Sequence, residues 1–484
     1  MAGTIRGAQL ARLLGVAWRL PARGDARHPE YAALAGGVRS LLTDGRLALG
    51  VRLPAERDLA QALGISRTTV TAAYRSLRET GHLTSRRGAG SWTALPPGHR
   101  VGTSGLWPAE DGDALDLAVA ALPAPPQLAA AVAEAVADLP PYLAGTGYHP
   151  TGLPVLREAV AAQYAARGLP TTADQVMVTS CVQHALDLLL RLLVAPGQRV
   201  LVETPTYPNA LTAFTTHRTR VHTYGIGPGG WDDDLLLATL RDTRPRMAYL
   251  IPDYHNPTGH LMDLALRQRL PAAAHAAGSD LVVDESFVDM RLAGPPVPSS
   301  VAAFDRGARV LAIGGMSKPY WGGLRIGWIR AAAPVVARLA AIRVTVDMAS
   351  PVLDQLVAAR LLAYGPSVVA ARRAELLARR DALLAALHEY LPGWRCTVPS
   401  GGVCLWVELD APVSSALART AQECGVRVAP GPRFGADGTM ERFLRLPYTL
   451  PEAELVAAVR RLAQARAELD RPYRAAWASP AVVA

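Results

Sequence analysis

Residues 310–330 read VLAIGGMSKPYWGGLRIGWIR, an apolar run that breaks into a glycine-rich loop and then resumes. The loop carries Lys318, the only lysine in a chain of 484 residues that is otherwise rich in arginine. A lysine amine can lose its proton and act as a nucleophile, whereas a guanidinium cannot. Composition alone leaves two interpretations open: Lys318 bonds covalently to a carbonyl compound, or it is a chance exception in an arginine-biased chain.

Other apolar segments also end in residues suited to ligand binding. Short buried-strand patterns lead into a tyrosine, an asparagine and an aspartate, which are Tyr207, Asn256 and Asp284. In open α/β sheets, ligands bind at the carboxyl ends of the strands. We therefore expect these three side chains to lie near Lys318 at one edge of a sheet.

In this order, the segments resemble the fold-type I enzymes that depend on pyridoxal 5′-phosphate (PLP), the aspartate aminotransferase superfamily, over roughly residues 145–450. The resemblance implies that Lys318 holds the cofactor covalently and that Asp284 keeps its pyridine nitrogen protonated. It also implies that Asn256 binds the phenolic oxygen and that Tyr207 stacks on the ring.

The cofactor phosphate has two expected partners under the same resemblance. Arg325 would bind it with a bidentate fork. The turn at residues 180–183 opens a helix, whose first backbone N–H groups would bind it as well. The full expected cofactor-binding set is Lys318, Asp284, Asn256, Tyr207, Arg325, Cys181, Val182 and Ser317.

An amino effector or substrate has a predicted place beside this set. Arg445 lies in the apolar segment 443–446, where the superfamily has an arginine that grips a carboxylate. We interpret Arg445 in that way and assign Tyr148 to effector binding with it, while a surface-strand arginine is the alternative for Arg445.

Three positions depart from the superfamily pattern. Phe287 replaces a tyrosine hydroxyl near the phenolic oxygen, Gly315 replaces a phosphate-binding Ser or Thr, and Cys181 replaces a glycine. A lost hydrogen bond to a charged group costs about 1 kcal/mol or somewhat more. We therefore expect PLP to bind, but transamination to be weakened.

The positive charge of the chain is concentrated near its N-terminus. Residues 1–100 contain 15 Arg and 6 Asp or Glu, a net charge of +9 that equals the formal net charge of the whole chain. Because phosphate neutralisation supplies much of nucleic-acid binding, this favours a DNA-binding attachment on a neutral body. A basic but inert tail is the alternative.

The motif in this region decides between the two. A helix is expected from about residue 55 to 63, ended by Gly64, and Ser66 is expected to cap a second helix. Residues 83–91 then read as a hairpin with two arginines at its tip. The predicted DNA-binding residues of these elements are Arg57, Ser66, Arg67, Thr68, Thr71, Arg75, Arg86 and Arg87.

The run LPAERDLAQALGISRTTVTAAYRSLRETGHL at residues 53–83 resembles the winged helix of the GntR regulators. A GntR-type head fused to a fold-type I aminotransferase-like body resembles the MocR subfamily of bacterial transcription regulators. The resemblance implies a double-stranded DNA operator, an amino effector or PLP itself as the signal, and a head-to-tail homodimer. A working aminotransferase with an appended winged helix is the alternative, and turnover with a keto acid discriminates the two.

The predicted organisation is an α/β chain of two folded units. A winged helix-turn-helix is expected at 28–94, a linker at 95–113, and a fold-type I PLP-dependent transferase domain at 114–470, with a large mixed α/β sheet and a small C-terminal α+β part. Residues 1–28 receive no assignment beyond a short amphipathic stretch near residues 10–18.

The remaining composition indicates a cytoplasmic protein that does not cross a membrane. No apolar run reaches membrane length, and arginines interrupt the N-terminus too often for a signal peptide. The 4 cysteines lack C-x-x-C spacing, so neither a disulfide framework nor a metal site is predicted.

Overall fold

The computed structural model describes residues 4–17, 30–86, 90–96 and 114–469. The predicted linker, 95–113, therefore lies almost entirely outside the described residues, as do Arg87 and the side chain of Arg86. The first of the described parts form an N-terminal head, 4–96, and the rest forms the body, 114–469.

The head is a winged helix-turn-helix, as the sequence predicts. Its helices and wing strands are α1 (Gly7–Ala17), α2 (Glu30–Thr43), α3 (Glu56–Leu63), α4 (Arg67–Glu79), β1 (Leu83–Arg86) and β2 (Gly90–Thr93). Gly64 ends α3 in the left-handed conformation, and the side chain of Ser66 caps α4 by accepting from the Thr69 amide. Val70, Tyr74 and Leu77 then face the core of the head, which leaves the opposite face of α4 to solvent.

Helix α1 is an addition that the sequence analysis did not assign. Leu10 and Leu14 are fully buried in the core of the head, and the Ile5 amide donates to the Arg52 carbonyl at 3.1 Å. Gly7 lets α1 approach α3 closely, because a Cβ there would lie 2.7 Å from the Asp58 carbonyl oxygen. The predicted amphipathic stretch is thus a helix that belongs to the head.

The chain enters the body through β3 (Leu115–Leu117) and then builds a seven-stranded sheet. The strands of that sheet are β4 (Val176–Thr179), β5 (Arg199–Thr204), β6 (Arg220–Gly225), β7 (Met247–Leu250), β8 (Asp280–Asp284), β9 (Val310–Gly315) and β10 (Gly327–Arg330). Their order is β4-β10-β9-β8-β7-β5-β6. All neighbours are parallel except β10, which runs antiparallel to both β4 and β9.

Helices cover both faces of this sheet, so its inner strands β7, β8 and β9 are buried at every position, whereas the edge strand β6 is partly exposed. These helices are α5 (Leu128–Asp138), α6 (Pro140–Leu143), α7 (Pro154–Ala166), α8 (Val182–Leu193), α9 (Pro208–Thr216), α10 (Asp233–Thr243), α11 (Leu264–Ala277), α12 (Ala333–Arg343) and α13 (Val352–Ala363). Short 3-10 turns lie at Ala173–Gln175, Val301–Phe304 and Gly322–Leu324. The parallel strands place their carboxyl ends, and the loops that follow, at one edge.

A smaller α+β part completes the body. It contains α14 (Gly365–Tyr390), β11 (Arg395–Cys396), β12 (Cys404–Glu408), α15 (Ser414–Glu423), β13 (Val426–Pro430), a 3-10 turn (Gly431–Phe434), β14 (Phe443–Pro447) and α16 (Glu452–Leu469). The sheet order is β11-β12-β14-β13-β3. Because β3 pairs with β13, the segment that follows the linker belongs to this second sheet.

Among the described residues, no single helix has the length and apolar composition needed to cross a membrane. The pair α13 and α14 meets that test only when taken together, and it is bent by 75°.

Candidate functional site

A cavity of about 210 Å³ lies where the two parts of the body meet. All eight residues of the expected cofactor-binding set line it, and Arg445 does so as well. These nine residues lie in the loops at the carboxyl ends of β5, β7, β8 and β9, at the start of α8 and in β14. The fold therefore collects groups that are up to 264 positions apart in the chain, from Cys181 to Arg445.

Lys318 follows β9 and projects its amine into the cavity. Its Nζ donates to the Ala120 carbonyl at 2.7 Å and lies 5.7 Å from the centre of the Phe287 ring. Burial, and after it the positive charge of Arg445, lower the pKa of Lys318 to about 8. Near physiological pH the neutral, nucleophilic fraction of this amine is therefore much larger than that of an ordinary lysine.

Asp284 ends β8 and is held by three hydrogen bonds. The Tyr249 hydroxyl donates to its Oδ2 at 2.6 Å, and the Ser286 amide and hydroxyl both donate to its Oδ1. Burial raises the pKa of Asp284 above its usual value, although the hydrogen bonds from Ser286 and Tyr249 act in the opposite direction. These bonds fix the carboxyl group, and a cationic ligand atom beside it would favour its ionised form.

A buried glutamate ties together the strands that carry Tyr207 and Asn256. Glu203, at the end of β5, is fully buried and accepts from the Trp231 indole at 2.7 Å and from the Ile251 amide at 2.8 Å. The latter bond joins β5 to the end of β7. Glu203 thus sets the spacing of two loops that line the cavity, although no signal in the sequence marks it for this role.

The start of α8 forms a polar end of the cavity. The amides of Val182 and Gln183 are among the first N–H groups of this helix and have no partner within it. Cys181 caps the helix, because its Sγ accepts from the His184 amide at 3.4 Å. The exposed guanidinium of Arg325 also lines the cavity. This combination of helix N-terminus and arginine suits an anion such as phosphate.

The residue replacements expected to weaken the site have local structural reasons. A Cβ on Gly315 would lie 3.0 Å from Val182 Cγ2 and 3.2 Å from the Ile326 carbonyl oxygen, so a serine there would need its neighbours to shift. Cys181 has extended backbone, with φ 178°, which a non-glycine residue adopts without strain. Its thiol serves as the helix cap in place of a hydroxyl.

Arg445 is almost completely buried, so the surface-strand alternative for it is wrong. Its Nη2 donates to the Ala118 carbonyl, its Nη1 donates to Asn256 Oδ1 at 3.4 Å, and its Cζ lies 4.9 Å from the centre of the Phe434 ring. Among the described residues, its Nε has no hydrogen-bond partner. Burial lowers the pKa of Arg445. A buried guanidinium with weak partners is suited to a carboxylate ligand.

The segment 118–121, between β3 and α5, closes the cavity and was not predicted. Its carbonyls at Ala118 and Ala120 accept from Arg445 and Lys318, two of the cationic side chains that line the cavity. Every residue has a backbone carbonyl, so the residue types of this alanine-rich stretch could not predict that its carbonyls bind the two side chains.

Tyr148 is not brought to this cavity within the chain. Its side chain is 59% exposed and does not line the cavity. The structure therefore separates Tyr148 from Arg445, with which the sequence analysis grouped it, and its role stays a prediction.

The predicted DNA-binding residues lie on the exposed side of α3 and α4. Arg57, Arg67, Thr68 and Arg75 are exposed, and Ser66 both caps α4 and bonds the Thr68 hydroxyl at 2.7 Å. Thr71 is half-buried and donates to Glu56 Oε2 at 2.7 Å. The Nε of Arg67 lies 3.7 Å from the same Glu56 oxygen, which orients an otherwise exposed side chain.

Comparisons with known proteins match both units. Residues 115–462 match the family "Aminotransferase class I and II", and residues 30–92 match "Bacterial regulatory proteins, gntR family". The HTH-type transcriptional regulator TauR of Rhodobacter capsulatus is 27% identical over 92% of this chain and 97% of its own length. The probable rhizopine catabolism regulatory protein MocR of Rhizobium meliloti is 31% identical over 63% of this chain and 66% of its own.

A solved structure supports the fold of the body. LysN, an α-aminoadipate aminotransferase of Thermus thermophilus, superimposes with a TM-score of 0.67 and 32% identity, covering 74% of this chain and 93% of that one. The fold and cavity thus define a fold-type I aminotransferase-like body behind a winged-helix head. The chain belongs to the aminotransferase class I and II family and, through its gntR head, to the MocR subfamily of transcription regulators.

The lowered pKa of Lys318 gives a prediction for the protein free of cofactor. Reductive methylation requires a neutral amine, so we expect the rate of Lys318 modification to rise with pH to a midpoint near pH 8, whereas an ordinary lysine has a pKa of 10.5. Peptide mass spectrometry measures the rate, with no other lysine to confuse it. In Arg445→Gln the midpoint should move to higher pH, because a neighbouring positive charge is lost. A wild-type midpoint above pH 10 would refute the buried, electropositive setting of the amine.

Proposed function

We propose that this chain is a PLP-binding transcription regulator that senses an amino compound in the cavity around Lys318 and binds operator DNA with its head. The observation that carries the proposal is the meeting of the sole lysine with Asp284, Arg325 and Arg445 in one cavity, in a chain that begins with a winged helix.

The residues present fit three functional groups of PLP. The Lys318 amine suits its aldehyde, Asp284 suits its pyridine nitrogen, and Arg325 with the first amides of α8 suits its phosphate. Tyr207 lines the same cavity, and its hydroxyl accepts from Asn209 Nδ2 at 2.9 Å, which fixes the ring. When bound, PLP supplies an electron sink and a carbonyl group that exchanges amines. Asp284, held by Tyr249 and Ser286, would keep the pyridine nitrogen charged.

The effector proposed for this cavity is an amino acid or ω-amino acid. Arg445 has only a carbonyl and an amide oxygen as hydrogen-bond acceptors in the described structure, which are weaker acceptors than a carboxylate. A ligand carboxylate would take their place and draw Arg445 away from segment 118–121. Alternatively, the protein senses PLP itself. In that case Arg445 binds no effector carboxylate.

The proposed DNA surface combines α4 with the wing. Arg67, Thr68 and Arg75 are exposed on α4, where a recognition helix contacts the major groove. Arg86 and Arg87, which the sequence predicts at the tip of the hairpin, and Arg57 on α3 would add phosphate contacts.

A homodimer completes the proposal. Exposed apolar side chains on the body, among them Leu143 (69%), Tyr148 (59%), Val344 (47%) and Met348 (40%), are available for contact with a second copy. A homodimer with two-fold symmetry would bind a symmetric operator with two half-sites. The head-to-tail arrangement proposed for the family would bring each head near the body of the partner.

A working aminotransferase is the second candidate function. The observation that favours it is the match to enzymes such as LysN over most of the body, together with a cavity that keeps a lysine, an aspartate and two arginines. Sustained conversion of an amino acid with a keto acid as acceptor would establish it, and a regulator requires no such cycle.

The effector proposal predicts a selective defect in Arg445→Gln. We expect this variant to retain PLP and basal DNA binding, but to respond to the amino-acid effector at concentrations raised about 30-fold or more. Removing one partner of a buried charge pair costs about 2–5 kcal/mol, which corresponds to that change. Titration of protein–DNA complexes with PLP and then with a panel of α- and ω-amino acids measures it.

A wild-type response of Arg445→Gln to an amino acid would contradict the proposed carboxylate contact. If the wild-type protein responds only to PLP, direct sensing of the cofactor is supported instead. Arg309→Gln is the matched control, since Arg309 pairs with Asp280 elsewhere on the body.

A further inference from the structure

A second cavity, of about 260 Å³, lies in the body, and among the described residues it shares no lining residue with the Lys318 cavity. Its walls come from α7 and the residue after it, the loop after β7, α11, the segments 285–291 and 296–300, and α14. Four arginines line it, and we therefore call it the arginine cavity: Arg167, Arg267, Arg291 and Arg373. It is separate from the site that the proposed function uses.

The buried wall of the arginine cavity is built from two ion pairs. Arg267 is fully buried, and its Nη2 donates to Asp253 Oδ1 at 2.7 Å. Arg167 Nη2 donates to Glu285 Oε2 at 3.2 Å, and the Ser300 hydroxyl donates to the other oxygen of that carboxylate. Each arginine is thus balanced by one carboxylate, and both oxygens of Glu285 are occupied.

Asp253 is left with an unused acceptor. Its side chain is 1% exposed, and its Oδ2 has no hydrogen-bond partner among the described residues. Burial raises the pKa of Asp253, while the charge of Arg267 acts in the opposite direction. Because a buried carboxylate oxygen without a donor is unfavourable, the cavity offers this oxygen to an N–H or O–H group of a ligand.

The more exposed end of the cavity carries two guanidinium groups with free donors. Arg373 Nε donates to the Asp289 carbonyl at 2.8 Å, and Arg291 Nη1 donates to the Gly294 carbonyl at 3.0 Å. Within the described part of the chain, neither guanidinium has a carboxylate within 4 Å. The Asp289 carboxylate also lines the cavity, so this end keeps one net positive charge and suits a ligand with a single carboxylate.

The charges of the cavity exclude simpler ligands. In the described residues, no group of three or more His, Cys, Asp or Glu side chains is placed to hold a metal ion. A ligand that is only a cation would face four arginines. A ligand that is only an anion would leave Asp253 Oδ2 without a donor. A molecule with a carboxylate at one end and a donor at the other satisfies both ends.

We propose that the arginine cavity is a second binding site, for a small carboxylic acid that also carries an amino or hydroxyl group. The ligand carboxylate binds Arg373 and Arg291 at the exposed end, and its N–H or O–H group donates to Asp253 Oδ2 in the interior. The site requires neither Lys318 nor PLP, so it goes beyond the proposed function and does not depend on it.

Isothermal titration calorimetry of the cofactor-free, full-length protein tests this site. The Arg445→Gln variant is the host, because it removes the guanidinium that would bind a carboxylate in the Lys318 cavity. The probes are 2-amino, 2-hydroxy and unsubstituted carboxylic acids of three to six carbons. We expect an amino or hydroxy acid to bind at least about tenfold more tightly than the unsubstituted acid of the same length, because only the former donates to the buried carboxylate.

Arg373→Gln, made in the same host, tests the carboxylate end. Its loss of a charged donor should weaken binding of the best probe by about tenfold or more. Arg269→Gln is the matched control, because Arg269 lies on α11 outside the cavity, is 50% exposed and pairs with Asp233 at 3.2 Å. The control should bind the probe as the host does. Equal affinity in Arg373→Gln and in the host would overturn the proposal.

Asp253→Asn tests the interior end. The amide retains one oxygen for Arg267 but places an NH₂ group where the ligand donor would bind, so the preference for the amino or hydroxy acid over the unsubstituted acid should disappear. If this variant unfolds, the comparison of acids of equal length tests the same contact in the folded host.

Three results would overturn the proposal: no binding of any probe, equal affinity for substituted and unsubstituted acids, or binding that appears in the wild type and is lost in the Arg445→Gln host. The last of these would assign the binding to the Lys318 cavity. None of them bears on the binding of PLP, which is measured separately by its absorbance.

Discussion

Lys318→Ala is expected to abolish covalent retention of PLP. The side chain is the only lysine amine in the chain, so no neighbouring lysine can take over, as can happen in lysine-rich proteins. Purified wild-type protein should be yellow and should keep its visible band through gel filtration, while the variant should lose the band completely. Absorbance spectroscopy measures the loss, and borohydride reduction followed by peptide mass spectrometry should find the cofactor on Lys318 alone.

Lys318→Arg is the matched control for this experiment. It preserves a positive charge near the Ala120 carbonyl but provides no nucleophilic amine. We expect it to lose the visible band as Lys318→Ala does. Reduced cofactor on the N-terminal amine, or a visible absorbance band that survives in Lys318→Arg, would contradict the assignment of Lys318 as the residue that binds PLP covalently.

The second large effect concerns DNA. Arg67→Ala combined with Arg75→Ala is expected to weaken binding to the DNA that flanks this chain's own gene by about 100-fold at moderate salt, taking about 1–3 kcal/mol for each contact. Both side chains are exposed on α4, so the head should stay folded. If the lost contacts are to phosphates, the slope of log affinity against log salt should fall by about 2.

Arg241→Ala provides the control for net charge. Its side chain is 65% exposed on α10 of the body, far in sequence from the head, and its removal should leave DNA binding unchanged. Arg86→Ala tests the wing separately. An equal loss of DNA affinity in the α4 double variant and in Arg241→Ala would mean that DNA binding depends on overall charge and not on the recognition helix.

The sequence predicted the cavity well because its chemistry is carried by side chains at strand ends. Tyr207, Asn256, Asp284 and Lys318 each follow an apolar strand, and the geometry of a mostly parallel sheet gathers such positions at one edge. Arg445 was found by resemblance, and the apolar residues on both sides of it predicted a partly buried role. Its nearly complete burial, at 3% exposed, depends on the tertiary fold.

Other features lay beyond pattern reasoning for physical reasons. The carbonyls of Ala118 and Ala120 act through the backbone, which every residue shares, so their positions over the cavity depend on the tertiary fold alone. The Tyr249 hydroxyl donates a hydrogen bond to Asp284, although the sequence of its strand predicts only a buried strand of the core. The amphipathic stretch of α1 was too short to be assigned to a domain from the sequence, yet its leucines pack in the core of the head.

Gly225 illustrates the same limit. In the sequence it is an ordinary glycine at the end of a strand. The structure shows that a Cβ there would lie 2.6 Å from the Arg46 carbonyl oxygen, a close approach that depends on the tertiary fold.

The central claim is that occupancy of the Lys318 cavity controls binding of DNA by the head. Fluorescence anisotropy titration of the DNA flanking this chain's own gene, at one fixed salt concentration, tests it most directly when cofactor-free and PLP-loaded protein are compared with and without the amino-acid panel. We expect PLP, or PLP with one amino compound, to change the dissociation constant by about fivefold or more, and Lys318→Arg to show no change. Equal affinity in every ligand state of the wild type, or a full response in Lys318→Arg, would contradict the account.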